Sequence, residues 1–271
     1  MKIYGIDFTS SPSKRKPITC LECELTGSTL TAGTLLEWTN FDGFEETLQK
    51  PGLWIAGIDF PFGQARRFIE TIGWPETWEG YVKHAAGLGR EGFVDALNAY
   101  RLARATGDKE HKRVTDRRAR SISPQKLYGV PVGKMFYEGA PRLIEAGVMV
   151  PGLQIGDPRR IVVEAYPGVL ARALIGKKSY KNDAKRKQTS ALHSARQEIL
   201  DKIENGALKK HYGLEVSASL SLADDPAGDS LDALLCAIQA AFAWNRRDDR
   251  FGEPPNSDPL EGWIADPMPK I

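Results

Sequence analysis

The sequence predicts an α/β protein, with a mixed β-sheet flanked by helices, on three observations. Short apolar runs near both ends of the chain have the length of buried strands, and several end in an acid followed by a turn signal. Helical periodicity lies between and after these runs. The 271 residues, 41% of them hydrophobic, are enough to bury a sizeable core.

The first elements along the chain follow the order strand, strand, strand, helix, strand. They are the strand Ile3–Asp7, the strands Ile18–Leu25 and Thr29–Leu35 joined by the turn-like Thr26-Gly27-Ser28, the helix Phe41–Gln49 and the strand Leu53–Ile58. Asp59, Pro61 and Gly63 follow the last run, where proline and glycine break the pattern. This part therefore predicts a sheet with one hairpin and one helix.

A long basic and helical segment then interrupts the predicted sheet. Helical periodicity covers Arg66–Ile72 and Phe93–Thr106, and a structureless loop of this length would be improbable in a compact domain. We therefore predict one domain over residues 1–271. Its core is formed by about 1–63 and 156–271, and a large helical insertion of about 64–155 lies between the fourth and fifth strands.

The C-terminal part predicts one more buried strand and the helices that cover the sheet. Ile161–Glu164 is an apolar run that ends in an acid, and the turn Tyr166-Pro167-Gly168 follows it. Helical periodicity then covers Val169–Ile175, Ser190–Asn205 and Ser230–Trp244. The last of these is apolar and rich in alanine, so we expect it to pack against the sheet.

Composition narrows the class of protein further. The formal net charge is +2, which excludes a histone-like polycation. No apolar run approaches the roughly 20 residues of a membrane span, and no signal-peptide pattern opens the chain. The three cysteines are too few for a disulfide scaffold. We therefore expect a soluble, cytoplasmic protein with no membrane partner.

Three short motifs suggest functions that their context does not support. Gly87-Leu-Gly89-Arg-Glu-Gly92 matches a dinucleotide-binding pattern, but the preceding Glu79–Ala86 is predicted to be helical rather than a strand. Cys20 and Cys23 lie three apart on a strand and face opposite sides, so they cannot share a zinc ion. Ser230 lies in a lipase-like Gly-Asp-Ser-Leu block, yet no histidine follows it as a base. We expect no organic cofactor.

Acids at the ends of apolar runs form the most informative pattern. Asp7, Asp59 and Glu164 each end or follow a predicted strand, and Asp229 and Asp232 lie on one face at the start of the last helix. If the three strands are parallel neighbours, their acids meet at the edge where open α/β sheets bind ligands. Each acid alone could instead cap a turn or a helix. Their repetition favours one shared site.

Such a cluster of carboxylates requires a cation, because four or five negative charges in a small volume repel one another. Oxygen ligands suit Mg²⁺ or Mn²⁺ better than zinc. Phosphodiester hydrolysis with two ions about 3.5–4 Å apart uses this kind of site. We therefore expect Asp7, Asp59, Asp229 and Asp232 as metal ligands.

Four segments of the sequence, taken in order, resemble an uncharacterised family of predicted nucleases with an RNase H-like fold. They are Gly5-Ile-Asp7, Ile58-Asp59-Phe-Pro61-Phe-Gly63, Val163-Glu164-Ala-Tyr166-Pro167-Gly168 and Asp229-Ser-Leu-Asp232-Ala233-Leu234. The resemblance spans nearly the whole chain. It implies an RNase H-like mixed sheet and a metal-dependent nuclease.

The resemblance also implies roles for single residues. Asp7 would bridge both metals, and Asp59 would follow the fourth strand. The pair Asp229 and Asp232 is similar to the D-x-x-D motif of RuvC-type resolvases, which often pair, so a homodimer stays open. Glu164 is a less regular member of the catalytic set. A helical carboxylate after the third strand, Glu45 or Glu46, is a weaker candidate.

Two basic runs, 109–120 and 177–187, are candidates for binding the phosphates of a DNA or RNA substrate. Arg113, Arg117 and Lys181 are the residues we expect to contact phosphate, although such runs are also typical of a solvated helix face. The preferred hypothesis is a two-metal nuclease. The alternatives are an ATP-dependent phosphotransferase or ATPase of the actin-like type, and a non-catalytic nucleic-acid-binding protein.

Overall fold

The computed structural model describes residues 1–182 and 184–267, and its centre is a seven-stranded β-sheet. The strands are β1 (Lys2–Asp7), β2 (Ile18–Thr26), β3 (Thr29–Trp38), β4 (Trp54–Ile58), β5 (Val148–Met149), β6 (Asp157–Glu164) and β7 (Glu215–Ser217). They lie in the order β5-β6-β4-β1-β2-β3-β7. β2 is antiparallel to both β1 and β3, and the other neighbours are parallel. The predicted mixed α/β sheet is confirmed.

The hairpin predicted at the N-terminus is present, with Thr26 opposite Thr29 and Gly27 at a φ of +60° in the turn. The short strands β5 and β7 were not predicted, because two or three residues are too few to show a period. The strand predicted as the fifth is therefore the sixth. It also begins earlier, at Asp157.

One face of the sheet is covered by α1 and by the segment between β4 and β6. The helices that contribute to the core on this face are α1 (Asp42–Gln49), α2 (Arg66–Ile72), α3 (Trp78–Gly87), α4 (Gly89–Leu102) and α6 (Val132–Ala146), and the short α5 (Val114–Ala119) lies between α4 and α6 in sequence. The predicted helical character of 64–155 is thus present, together with the two-residue β5. Aromatic side chains dominate the core on this face, where Phe8, Phe60 and Phe62 stack in sequence.

The other face is covered by the C-terminal helices. They are α7 (Pro167–Ile175), α8 (Ser190–Glu204), α9 (Lys209–Tyr212) and α10 (Asp229–Asn245). Residues 229–243 of α10 are all buried, as its apolar sequence predicts. Because side chains alternate along a strand, Ile3 of β1 packs on this face and Tyr4 on the opposite one.

Two glycines allow α10 to lie directly on the backbone of the sheet. Gly5 of β1 and Gly57 of β4 are partners in register. A Cβ built at Gly5 would collide with the backbone oxygen of Ala233, and one at Gly57 with that of Cys236. This close approach brings the first turn of α10 to the carboxyl ends of β1 and β4.

The misleading motifs have ordinary structural positions. The glycine-rich Gly87–Gly92 segment joins two helices, α3 and α4, as its context predicted. Cys20 and Cys23 are buried on opposite faces of the sheet. The backbone N–H of Ser230 donates to the Asp225 carboxylate at 3.0 Å at the start of α10. In the part of the chain that the structure describes, no helix is both long and apolar enough to cross a membrane.

Candidate functional site

Three of the predicted acids meet at one edge of the sheet. Asp7 is the last residue of β1, Asp59 directly follows β4, and Asp232 lies in the first turn of α10. Each offers a carboxylate oxygen, and these oxygens lie within 4.8 Å of one another. β1 and β4 are parallel, so their carboxyl ends bring Asp7 and Asp59 together, and the glycine contacts of α10 add Asp232.

The three acids open into a cleft of about 460 Å³. The sheet side of the cleft carries the carboxylates and two lysines, Lys16 and Lys181. The opposite side comes from the insertion, where Ile122 and residues 129–132 line the opening. The cleft therefore has one charged wall and one largely apolar wall. Its apolar lining residues are Phe8, Phe60, Ile122, Val130, Pro131, Val132 and Met135.

The two acids of α10 are held by donors of the protein itself. Lys16 donates from Nζ to both oxygens of Asp229, at 2.8 and 3.0 Å. The Tyr180 hydroxyl donates to Oδ1 of Asp232 at 2.7 Å, and the Lys181 ammonium donates to Oδ2 of the same carboxylate. All four carboxylate oxygens of the pair therefore carry a hydrogen bond.

Asp7 and Asp59 differ from this pair. Among the described residues, neither side chain has a hydrogen-bond or ion-pair partner, although Asp7 is only 5% exposed and both acids line the cleft. Burial raises the pKa of Asp59 to about 7, against the opposing effect of Lys181. Burial also raises the pKa of Asp7 well above its usual value, and Asp229 adds to the shift. These two carboxylates are therefore the ones that could hold an added cation.

Glu164, at the end of β6, has a different environment. Arg113 donates to its two oxygens at 2.7 and 2.5 Å, and the backbone N–H of Phe62 donates at 2.9 Å. Arg113 also pairs with Asp116 through Nε and Nη2, at 3.0 and 2.9 Å, and with the backbone oxygen of Glu261 at 3.0 Å. Burial raises the pKa of Glu164, and Arg113 opposes that effect.

This geometry corrects the expected role of Arg113. Its side chain is 1% exposed, and all five N–H donors of its guanidinium are used within the protein. No donor is left for a substrate phosphate. The expectation was wrong because a run of basic residues looks the same in sequence whether one arginine turns inward or outward.

The other predicted residues are placed as follows. Arg117 is exposed on α5 and is not among the residues that line the cleft, so its predicted phosphate contact stays a prediction. Lys181 lies inside the acid cluster instead of on a basic surface. Glu45 of α1 is 49% exposed and pairs with Arg142 of α6 at 2.7 Å, and Glu46 is also exposed. Neither glutamate is among the residues that line the cleft.

Sequence reasoning missed Lys16 as a member of the site. It lies in the loop between β1 and β2, 213 residues from its partner Asp229, and no local pattern marks it. Tyr180 was noted only as a face for stacking. The structure shows why a tyrosine stands here, because its buried hydroxyl donates to Asp232.

The chemistry of the donors fits a hard divalent cation. Asp7, Asp59 and Asp232 provide three carboxylate oxygens without nitrogen or sulfur ligands. Mg²⁺ bonds of about 2.0–2.1 Å place two ligand oxygens up to about 4.2 Å apart. The observed separation of up to 4.8 Å needs only a small inward movement. The residues present therefore fit Mg²⁺ or Mn²⁺.

The fold and the cleft together define an α/β protein with a carboxylate-rich site at the carboxyl ends of its parallel strands. The chain belongs to the family described as protein of unknown function (DUF429), which matches residues 5–257. No curated protein and no solved structure matches the chain. The match includes all five acids of the predicted site, and its description carries no activity.

Proposed function

We propose that this protein is a divalent-metal-dependent nuclease that hydrolyses phosphodiester bonds of DNA or RNA with Mg²⁺ or Mn²⁺. The observation that carries the proposal is the convergence of Asp7, Asp59 and Asp232, whose oxygens lie within 4.8 Å in a cleft of about 460 Å³. Asp7 is the second support: it is buried and has no hydrogen-bond or ion-pair partner among the described residues, and a protein seldom leaves a buried carboxylate in that state.

The topology supports an RNase H-like fold as part of this proposal. β1 lies between antiparallel β2 and parallel β4, and β6 continues the parallel side. This is the arrangement that the sequence resemblance leads us to expect. It places Asp7 at the centre of the sheet edge, with Asp59 beside it.

The site residues have distinct roles in the proposed reaction. A divalent ion supplies activation of water and charge stabilisation at the phosphate when it is bound. Asp7 and Asp59 would hold the ion, and Tyr180 fixes the orientation of Asp232 beside them. The apolar side chains of the insertion would lower the polarity of the surroundings of a bound phosphate.

The competing interpretation, in which the acids only cap structural elements, is not favoured by the contacts. Asp229 and Asp232 make no side-chain capping bond to α10, and Asp225 accepts the N–H of Ser230 there instead. Asp7 and Asp59 accept no hydrogen bond from the described backbone. Acids that do not cap and are not paired need another explanation, and metal binding provides one.

The test is a cleavage assay with single-stranded, duplex and branched DNA and RNA in the presence of Mg²⁺ or Mn²⁺. We expect cleavage of at least one form by the wild type and its loss in Asp7→Asn, with Glu45→Gln as a matched control outside the cleft. ATP hydrolysis without nucleic-acid cleavage would support the phosphotransferase instead. Metal-independent binding without turnover would support the non-catalytic alternative.

A further inference from the structure

The carboxylates of the cleft fall into two groups by their partners. Asp229 and Asp232 have every oxygen hydrogen-bonded to Lys16, Tyr180 or Lys181. Asp7 and Asp59 have no such partner among the residues described. The carboxylate oxygens that remain for an added cation are therefore those of Asp7 and Asp59, at the ends of two adjacent strands.

We propose that the site takes one divalent cation, held between Asp7 and Asp59, and that Lys181 is the second positive charge of the centre. This inference rests on the proposed function and changes the expected number of ions from two to one. It also assigns Lys181 a role that its position in a basic run does not indicate.

The ion pairs of the cluster favour one ion. Asp229 and Asp232 already pair with Lys16 and Lys181, so these two carboxylates have cations supplied by the protein itself. One divalent ion would match the two negative charges of ionised Asp7 and Asp59. A second divalent ion would have to share Asp232 with the Lys181 ammonium or Asp229 with that of Lys16, and like charges at such short distances repel each other.

Lys181 is built into the site and is not a surface lysine that happens to reach it. The preceding Tyr180 is buried and bonded to Asp232, and its backbone oxygen accepts a hydrogen bond from the buried Arg196 at 2.9 Å. Gly228, at a φ of +79°, packs against the aliphatic part of Lys181, where a Cβ would lie 2.9 Å from the Lys181 Cβ. The contacts of Tyr180 and Gly228 therefore fix the position of the Lys181 ammonium.

The ammonium has donors left for a substrate. A lysine carries three N–H donors, and the bond to Asp232 uses one of them. Lys181 lines the cleft, so the remaining donors can reach a phosphate oxygen that lies against the ion. It would thus be a catalytic residue that supplies charge at the phosphate. This keeps the predicted phosphate contact of Lys181, now made from within the acid cluster.

The number of bound ions tests the inference without measuring catalysis. Titration calorimetry and the Mn²⁺ electron paramagnetic resonance spectrum of the full chain should give one bound Mn²⁺ for the wild type, without coupling between ions. Lys181→Met should bind two ions and show a coupled spectrum, because Asp232 then loses its internal cation. Lys185→Met, an exposed lysine of the same basic run, is the matched control and should bind one.

Other results would overturn the inference. Two ions in the wild type, no ion in the wild type, or one ion in a folded Lys181→Met would each contradict it. Lys181→Arg keeps the charge and should bind one ion, so a value of two for this variant also counts against the proposal, even if Lys181→Met fails to fold. Stoichiometry is measured without substrate. One ion in the wild type and two in Lys181→Met, with no nuclease activity, would refute the proposed function alone.

Discussion

Two groups of charged side chains lie at the same edge of the sheet. One group is paired within the protein and the other is not. Arg113 joins Glu164 and Asp116 in a group in which all five guanidinium donors are used. Asp7 is also buried and Asp59 is half-buried, and neither side chain has a hydrogen-bond or ion-pair partner among the described residues. Burial alone therefore does not separate a structural acid from a functional one. The presence or absence of a built-in partner does.

The largest expected effect comes from breaking the satisfied group. Arg113→Met leaves the buried carboxylates of Glu164 and Asp116 without their cation, so we expect a loss of about 3–5 kcal/mol in the free energy of unfolding. Denaturant unfolding measures it. Arg118→Met, on the exposed side of α5, is the control and should change the same quantity by under about 0.5 kcal/mol. A loss below about 1 kcal/mol for Arg113→Met would show that the group is not structural.

In the group without partners, loss of a charge should not lower the stability of the metal-free protein. Asp59→Asn removes a charge that has no protein partner, so the stability of the metal-free protein should stay the same or rise. Loss of a hydrogen-bonded group around a metal ligand already weakens metal binding about 10–100-fold, so loss of a ligand should weaken Mn²⁺ binding at least about 100-fold. Calorimetry and thermal unfolding measure the two effects. Unchanged Mn²⁺ affinity would remove Asp59 from the site.

The contact between α10 and the sheet can be loosened without touching a charge. Gly5→Ala forces a methyl group against the backbone of Ala233 and Ala237, so we expect a loss of about 1–3 kcal/mol in stability and weaker Mn²⁺ binding as Asp232 shifts. Gly87→Ala meets nothing within 4 Å and should lose neither. Equal behaviour of the two variants would mean that the close approach does not position the site.

The smallest expected effect is a dependence of stability on pH. The pKa of Asp59 is raised from 3.8 to about 7, so its contribution to the stability of the metal-free protein is fully present below pH 3.8 and is lost as the pH rises through 7. Between pH 6 and 8 the free energy of unfolding of the metal-free protein should fall by about 1 kcal/mol. Stabilisation by Mn²⁺ should grow over the same range. In Asp59→Asn, the fall in metal-free stability over this range should be smaller.

The sequence was informative wherever one local pattern decides the structure. The apolar runs ending in Asp7 and Asp59 predicted parallel strand ends, and the apolar helix opening with Asp232 predicted its place over the sheet; both are present. Glu164 was placed at its strand end correctly, but its partner was not foreseen. A strand pattern shows where an acid lies and does not show which charge faces it.

The long-range partners could not be predicted in this way. Lys181 and Asp232 are 51 residues apart, and so are Arg113 and Glu164. Charge runs do not show which of their members points inward, because one buried arginine hardly changes the composition of a run. The short edge strands β5 and β7 were missed for a related reason, since pairing rather than periodicity defines them.

Arg113 ties together three parts of the chain that are far apart in sequence. It lies at the start of α5 in the insertion, binds Glu164 at the end of β6, and donates to the backbone oxygen of Glu261, which is 148 residues away. The insertion therefore cannot open by itself without exposing these charges. Hydrogen exchange should show the amides of α5 and β6 opening together in one cooperative unit, although α5 belongs to the insertion and β6 to the sheet.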